Sequence, residues 1–591
     1  MGKTAMLLDL EENRFWTTNP NVILSKYRSI LISAIVVESV AFMVSLTDSL
    51  VAGNIVSANA FAAIGLLAPF FFVSSFLAAV INAGTLSNYN DQVGAFRQDR
   101  AHEYFSQGFA LSVLSGMVYF VIMLLGRGII FIGLHIPPGM EQYLLEYYNI
   151  IIFYFLLYPA SCLINNIVIA DGGEKLSLAA NVLQIMANVI LSLILSQRNG
   201  VRGIALATVI STVLSVLLVI PWFFTKRNTL RLVRASRPGD CLDIVRRGSV
   251  RASTLVLTAV AIFLLNAFVS DVFGGEVLQT LILQEKILGL SSVFMGLSMT
   301  IQPLIAALKG ERNTKAARIL LRWACLVMVS VAALISALLM LFAKSFVRAF
   351  GIIDLAQIQS GRTAVYITGS TLVCSALLVF FFFYFFLLNR YRLALTVCFI
   401  KDILSLVGLT VLLTTLFKTP EAIWVGLALA PVLSLLVCSG ILYFHYGREC
   451  FPFLLPRDQD ERIFIYSFVL DENRSVSFPE HASSLLREKG YPSRLQTLSA
   501  FYLEEMLMLI LEKNKANAVL AECTLILEEK EVRLILRDTG QTFDLTDEDA
   551  LPDSFRQYIV ANMVSVLDRK AFLITTGYNR HEFVFPLEEA Q

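Results

Sequence analysis

The feature that most limits what this chain can become is a succession of apolar runs reaching to about residue 446. Each run is long enough to cross a bilayer, which takes about 20 predominantly apolar residues. Charged residues are 16% of the chain, against about 25% in soluble proteins. The pattern predicts an α-helical polytopic membrane protein with twelve transmembrane helices in two six-helix lobes, followed by a cytoplasmic α/β sandwich domain. The spans are expected near 28–53, 58–84, 106–128, 147–170, 176–197, 201–225, 250–270, 277–307, 317–343, 362–388, 393–417 and 420–446.

Sidedness rests on one basic connector, Lys226 to Arg251. It carries eight basic residues against only Asp240 and Asp243. Positive charge beside apolar spans is held on the cytoplasmic side. Counting spans outward from the connector places both termini in the cytoplasm, with the plasma membrane as the expected location. The divisions are 1–24, a cytoplasmic segment with no apolar core and so no cleaved signal peptide expected; 25–225, the first lobe; 226–249, the connector; 250–447, the second lobe; 448–462, a linker; and 463–591, the tail. A net charge of +1 argues against a nucleic-acid partner. The eight cysteines are scattered without metal-like spacing, and read as buried free thiols.

The two lobes share a pattern. Gly203-Ile-Ala-Leu-Ala-Thr-Val-Ile-Ser211 returns as Gly426-Leu-Ala-Leu-Ala-Pro-Val-Leu-Ser434, and Gly94 through Ala101 returns as Gly310 through Ala317. Both repeats are offset by about 220 residues, the mark of an internal duplication. Six spans per copy keep both copies in one orientation, related by an axis along the membrane normal.

On these residues the chain resembles the multidrug and toxic compound extrusion (MATE) family. The matching pieces are Thr47 through Gly53, Gly94 through Ala101, Ala170 through Lys175, Gly200 through Thr208 and Gln302-Pro303-Leu304. The resemblance covers roughly residues 25–446 and implies a central cavity, alternating access, and export of small organic compounds, cations among them, coupled to Na⁺ or H⁺. In that family a first-lobe cation site uses an Asp on span one, an Asn and an Asp one turn apart on span five, and a Thr on span six. Asp48, Asn188 and Thr208 match, while Ser192 stands where the second Asp belongs. A hard cation needs several oxygens and balancing negative charge, so one carboxylate makes a weak Na⁺ site. A carboxyl out of water favours its neutral form, which makes Asp48 a candidate proton carrier. Three readings stand for Asp48: proton carrier, Na⁺ ligand (the one metal candidate) and structural residue.

Ionisable residues inside spans are functional candidates by default. Glu38, Glu285 and Asn266 are candidates for the substrate cavity. Lys401 and Asp402 on span eleven are adjacent; neighbours on a helix point about 100° apart, so they are not expected to face one another simply. Lys401 is expected to snorkel.

The tail reads as strand 463–470, helices 479–489 and 494–514, strands 518–527 and 531–537, a helix near 553–568, and strands 571–576 and 581–585. This order resembles the histidine-kinase-type ATPase fold of anti-sigma-factor-like serine kinases. Asp538-Thr539-Gly540-Gln541-Thr542-Phe543-Asp544 matches their adenine box. Glu504 or Glu505 matches the start of their Mg²⁺ box, but Met508 and Leu509 stand where its Asn is needed, and no glycine lid is found at 553–558. The resemblance implies adenine recognition through Asp538 and Gly540 without phosphate or Mg²⁺ handling. The tail is therefore read as a degenerate regulatory domain, with a nucleotide or a cytoplasmic protein as its ligand, and not as an enzyme; no cofactor is required. Two other readings compete. One is a flippase for lipid-linked precursors, favoured by a strongly cationic cavity. The other is a membrane-anchored regulator whose tail binds sigma-factor-type proteins.

Overall fold

The computed structural model describes residues 16–94, 98–171, 173–225, 228, 230–233, 239–352, 354–388, 390–450, 460–514, 517–528, 531–541 and 578–587. Much of the basic connector, residues 451–459 of the linker, the expected 553–568 helix and 571–576 strand, and residues 542–544 of the adenine box lie outside them. Two compact units appear. One comprises Met1–Ile32, Thr300–Leu326 and Ile441–Gln591; the other comprises Ser33–Met299 and Val327–Gly440.

The second unit holds most of the apolar helices. They include most of α1 (Asn21–Val51), α2 (Ala68–Gly94), α3 (Gln98–Gly133), α4 (Glu141–Ala170), α5 (Glu174–Val219), α6 (Gly239–Phe273) and α7 (Gly275–Leu288). On α3, Leu125, Ile129 and Ile132 are 76–80% exposed along one face. That spacing leaves an apolar stripe for lipid rather than for a core. The connector's end forms the start of α6. There Asp240 is buried and accepts from Arg100 Nη2 at 3.0 Å. α6 then crosses α2 at very short range: a Cβ on Gly84 would lie 1.9 Å from the Ile244 carbonyl oxygen, and one on Gly248 would lie 1.8 Å from that of Val80. Glycine at both positions is what lets the backbones meet.

Among the described residues ten helices are long and apolar enough to cross a membrane, or eleven if one bent pair counts as a span. The expected twelve are not all separate helices. The stretch Glu174–Phe224 counts once, although its 51 residues would make a rod of about 77 Å across an apolar layer of about 30 Å. Gly200 breaks it, with φ 56° and ψ −133°. Gln184 Nε2 donates to Thr212 Oγ1 at 3.1 Å, and Asn188 Nδ2 donates to Thr208 Oγ1 at 3.0 Å. Those pairs are symmetric about residue 198, so the chain folds back on itself there. The expected 362–388 span is instead Leu355–Ser370 and Leu372–Leu387, bent by 46°.

Span eleven corrects another expectation. Lys401 does bond its neighbour Asp402, which also accepts from Thr258 Oγ1 at 3.1 Å. The residues lie in a π-helical stretch, Phe399–Leu409. Its wider turn and the long lysine stem bring the ammonium round to a buried carboxylate, where pairing offsets the cost of burial.

The tail folds as a four-stranded antiparallel sheet, β1 (Ile463–Val469), β2 (Leu520–Leu527), β3 (Glu531–Asp538) and β4 (Asn579–Pro586), in that spatial order. Two helices, Glu472–Glu488 and Ser493–Lys513, cover one face. Alternate strand residues Phe468, Cys523, Leu525, Leu534, Leu536 and Phe583 pack there against Phe478, Leu503 and Leu507. The first helix begins earlier than expected. Pro479 reads as a start signal but sits inside the helix, and Asp471 is the actual N-cap, accepting from Arg474 N at 2.7 Å.

Candidate functional site

Asp48 lies near the end of α1 and is fully buried. Three neutral donors converge on its carboxylate from three other segments. Tyr147 Oη on α4 donates to Oδ2 at 2.6 Å, and Thr208 Oγ1, beyond the Gly200 break, donates to Oδ2 at 2.7 Å. Asn188 Nδ2, before the break, reaches Oδ1 at 3.3 Å. The reversal at Gly200 is thus what brings Asn188 and Thr208 to one carboxylate. Of the expected residues, Asp48, Asn188 and Thr208 come together. Ser192 is buried one turn from Asn188, and its hydroxyl has no hydrogen-bond partner among the described residues. Tyr147 was not anticipated, because a tyrosine in an apolar span reads as packing until its hydroxyl is located.

The arrangement suits a group that changes charge. Ionised Asp48 is stabilised by hydrogen bonds in a dry setting, which strengthens each of them. The hydroxyls can rotate and the amide can turn, so the same shell accommodates a neutral carboxyl. For a metal the shell is poorer. Its contacts present protons to Asp48, and only the Asn188 Oδ1 and Ser192 Oγ atoms remain as unengaged buried oxygens in this set. Among the described residues no group of three or more His, Cys, Asp or Glu gathers to hold a metal.

A second buried cluster lies on α7. Lys286 Nζ donates to Ser45 Oγ at 3.0 Å, one turn before Asp48 on α1, and senses the charges of both Asp48 and Glu285. The Asn266 side chain lies beside the Glu285 carboxylate, but neither forms a well-made hydrogen bond among the described residues.

Residues 34–194 match the MatE family model. The fold resembles that of a multidrug resistance MATE family transporter of the MOP superfamily in an inward-facing conformation, at 20% identity and a TM-score of 0.62, covering 68% of this chain and 96% of that one. An outward-facing structure of such a transporter matches at 20% identity and a TM-score of 0.59, covering 70% and 93%. A MOP superfamily transporter from Pyrococcus furiosus Vc1 matches at 21% identity and a TM-score of 0.60, again covering 70% and 93%; its pocket is described as having reverse polarity, suggesting a different function. At these identities the likeness shows the fold. No curated protein matches the chain.

In the tail, Asp538 ends β3 and Gly540 follows two residues later. Gly540 N donates to Asp538 Oδ1 at 2.9 Å, as does Asn579 Nδ2 at 2.8 Å. Asp538 Oδ2 is buried without a hydrogen-bond partner among the described residues. Burial pushes the carboxyl up to about 6, against the pull of those two donors. Asn514, at the end of the second tail helix, accepts from Gln541 N at 2.8 Å and packs against Gly540. Asn514 and Asn579 were missed because they lie outside any motif. Glu505 is half-buried on that helix.

Proposed function

We propose that the chain is a MATE-type secondary transporter that exports small organic compounds by alternating access, with proton binding at Asp48 as the coupling step. The observation that carries this reading is the fully buried Asp48 held by Tyr147, Thr208 and Asn188. An intramembrane carboxylate is costly and needs a reason to be there. The family match over 34–194, which includes Asp48, Tyr147 and Asn188, supports the same reading. Counting the fold-back at Gly200 and the bent pair as two further spans gives twelve, with both termini cytoplasmic and the plasma membrane as location. The buried ionisable groups Asp48, Glu285 and Lys286 are two acids and one base. That balance is not the strongly cationic interior that export of lipid-linked precursors calls for, and it leaves Glu285 and Asn266 available to a cationic substrate. In proteoliposomes loaded with ethidium, a proton gradient should drive transport and Asp48→Asn should abolish it. Full activity of Asp48→Asn sinks the reading.

The tail is read as a non-catalytic regulatory domain. The open Oδ2 of Asp538 suits an adenine amino group. Without phosphate contacts the affinity should be weak, near ~1 mM or about −4 kcal/mol. Calorimetry on the full chain with ATP and Mg²⁺ checks this, and micromolar binding with phosphate release would contradict it.

A further inference from the structure

The face of the tail sheet away from its helices carries a row of buried polar residues. Register aligns Ser467, Glu522, Arg537 and Arg580 as one rung across all four strands. All four are buried, Glu522 and Arg537 completely. Their partners come from two segments far away in sequence.

The β1 and β2 end of the rung holds the start of α1. Thr17 and Ser467 exchange backbone hydrogen bonds at 2.9 and 2.8 Å. Ser467 Oγ accepts from Asn21 N at 3.2 Å and donates to the Asn19 carbonyl oxygen at 2.7 Å. Glu522 Oε2 accepts from Val22 N at 2.9 Å. These two side chains therefore satisfy first-turn amides that a helix cannot satisfy itself, and a carboxylate there also suits the helix dipole. The β3 and β4 end holds the turn that follows residue 310. Glu311 is completely buried between Arg537, which it bonds, and Arg580, whose Nε lies 2.8 Å from Glu311 Oε1. Arg537 Nη1 also donates to Glu522 Oε1 at 2.6 Å, closing the row. At the rim, Arg312 pairs with Glu528 at 3.0 Å, and Lys315 Nζ donates to the Ile463 carbonyl oxygen at 3.0 Å.

We propose that this rung is an intramolecular clamp through which the tail holds the start of α1 and the 310–315 turn together, and so restrains the transport cycle. The consequence for transport rests on the reading given above. α1 leads to Asp48 in the first lobe, and the 310–315 turn belongs to the second lobe. Alternating access requires the lobes to change their relation, and one sheet bonded to both opposes that change. The chemistry favours a clamp over simple adhesion. Apolar surfaces tolerate sliding, whereas a buried charge row fits one register and leaves unpaired charge in any other. Asp538, next to Arg537 along β3 but facing the tail helices, offers a route by which a bound ligand would bear on the clamp.

The test uses the full chain in lipid nanodiscs, with spin labels at Thr18 and Lys309, both exposed. Glu311→Gln keeps the shape and removes the charge. Arg312→Ala cuts only the exposed rim pair and keeps the test decisive if the first variant fails to fold. In the unaltered chain one short distance should dominate, with a small longer-distance fraction. Glu311→Gln should raise the longer-distance fraction about tenfold, Arg312→Ala less. Ethidium transport in proteoliposomes, measured in parallel, should speed up severalfold. Unchanged distances in folded variants overturn the clamp, and lengthened distances with unchanged transport overturn its role as a restraint. Lengthened distances in a chain that moves no ethidium even when unaltered would uphold the clamp and sink the transporter reading instead.

Discussion

Asp48 and Asp538 are both buried carboxylates, but their shells differ. Asp48 is donated to at both oxygens, whereas Asp538 receives both of its bonds at Oδ1 and leaves Oδ2 open. For Asp538 the consequence is a stability that depends on pH. An unfolded Asp titrates near ~4, and the folded one at about 6. Between those values the folded chain keeps a proton that the unfolded chain has released. The stabilisation is therefore complete below about pH 4, falls as pH rises from there through 6, and is lost above it. Asp538→Asn should stabilise the tail at pH 7.5 by roughly 1–3 kcal/mol and at pH 5 by about half as much. Hydrogen exchange of β3 peptides in the full chain at the two pH values reads this directly, and equal effects at both would contradict it. Asp48 was legible in sequence because a carboxylate inside an apolar span stands out, and Asn188 and Thr208 followed from the resemblance to the MATE family's cation site. Tyr147 was not, since only folding reveals where a phenol ends.

At the scale of elements, apolar run length predicted the helices well wherever one run made one straight helix. It separated two spans at Gly200, where the chain breaks, but missed the break near residue 371, because hydropathy averages over a kink. Four of the five expected tail strands appear among the described residues, with ends shifted by one or two residues, and the expected 571–576 strand lies outside them. The rung was not legible at all: its pairing of Thr17 with Ser467 spans 450 residues, and no local pattern encodes that register. The α2–α6 crossing gives an element-level prediction. Gly248→Val would drive a side chain into the Val80 backbone, where neither backbone can yield cheaply. Overpacking of this kind costs about 1–3 kcal/mol, sometimes more. The variant should melt at a lower temperature in detergent than the unaltered protein, while Ser249→Val, beside it and exposed to bonding only within its own helix, should not.

At the scale of the whole molecule, one unit holds the fully buried Asp48 with its three donors, and in the other the tail sheet is bonded to the start of α1 and to the 310–315 turn. Composition and apolar run length made the helical, multi-span architecture legible. They did not reveal that the tail is tied to the rest through a buried charge row, since charged residues in a soluble domain read as solvated surface. The central claim concerns coupling at Asp48. Its most direct test is ethidium transport in proteoliposomes under separately imposed proton and sodium gradients, for the unaltered chain and Asp48→Asn. Transport that follows the proton gradient, is indifferent to sodium and vanishes in Asp48→Asn is the predicted result; strict sodium dependence, or undiminished transport by Asp48→Asn, would contradict it.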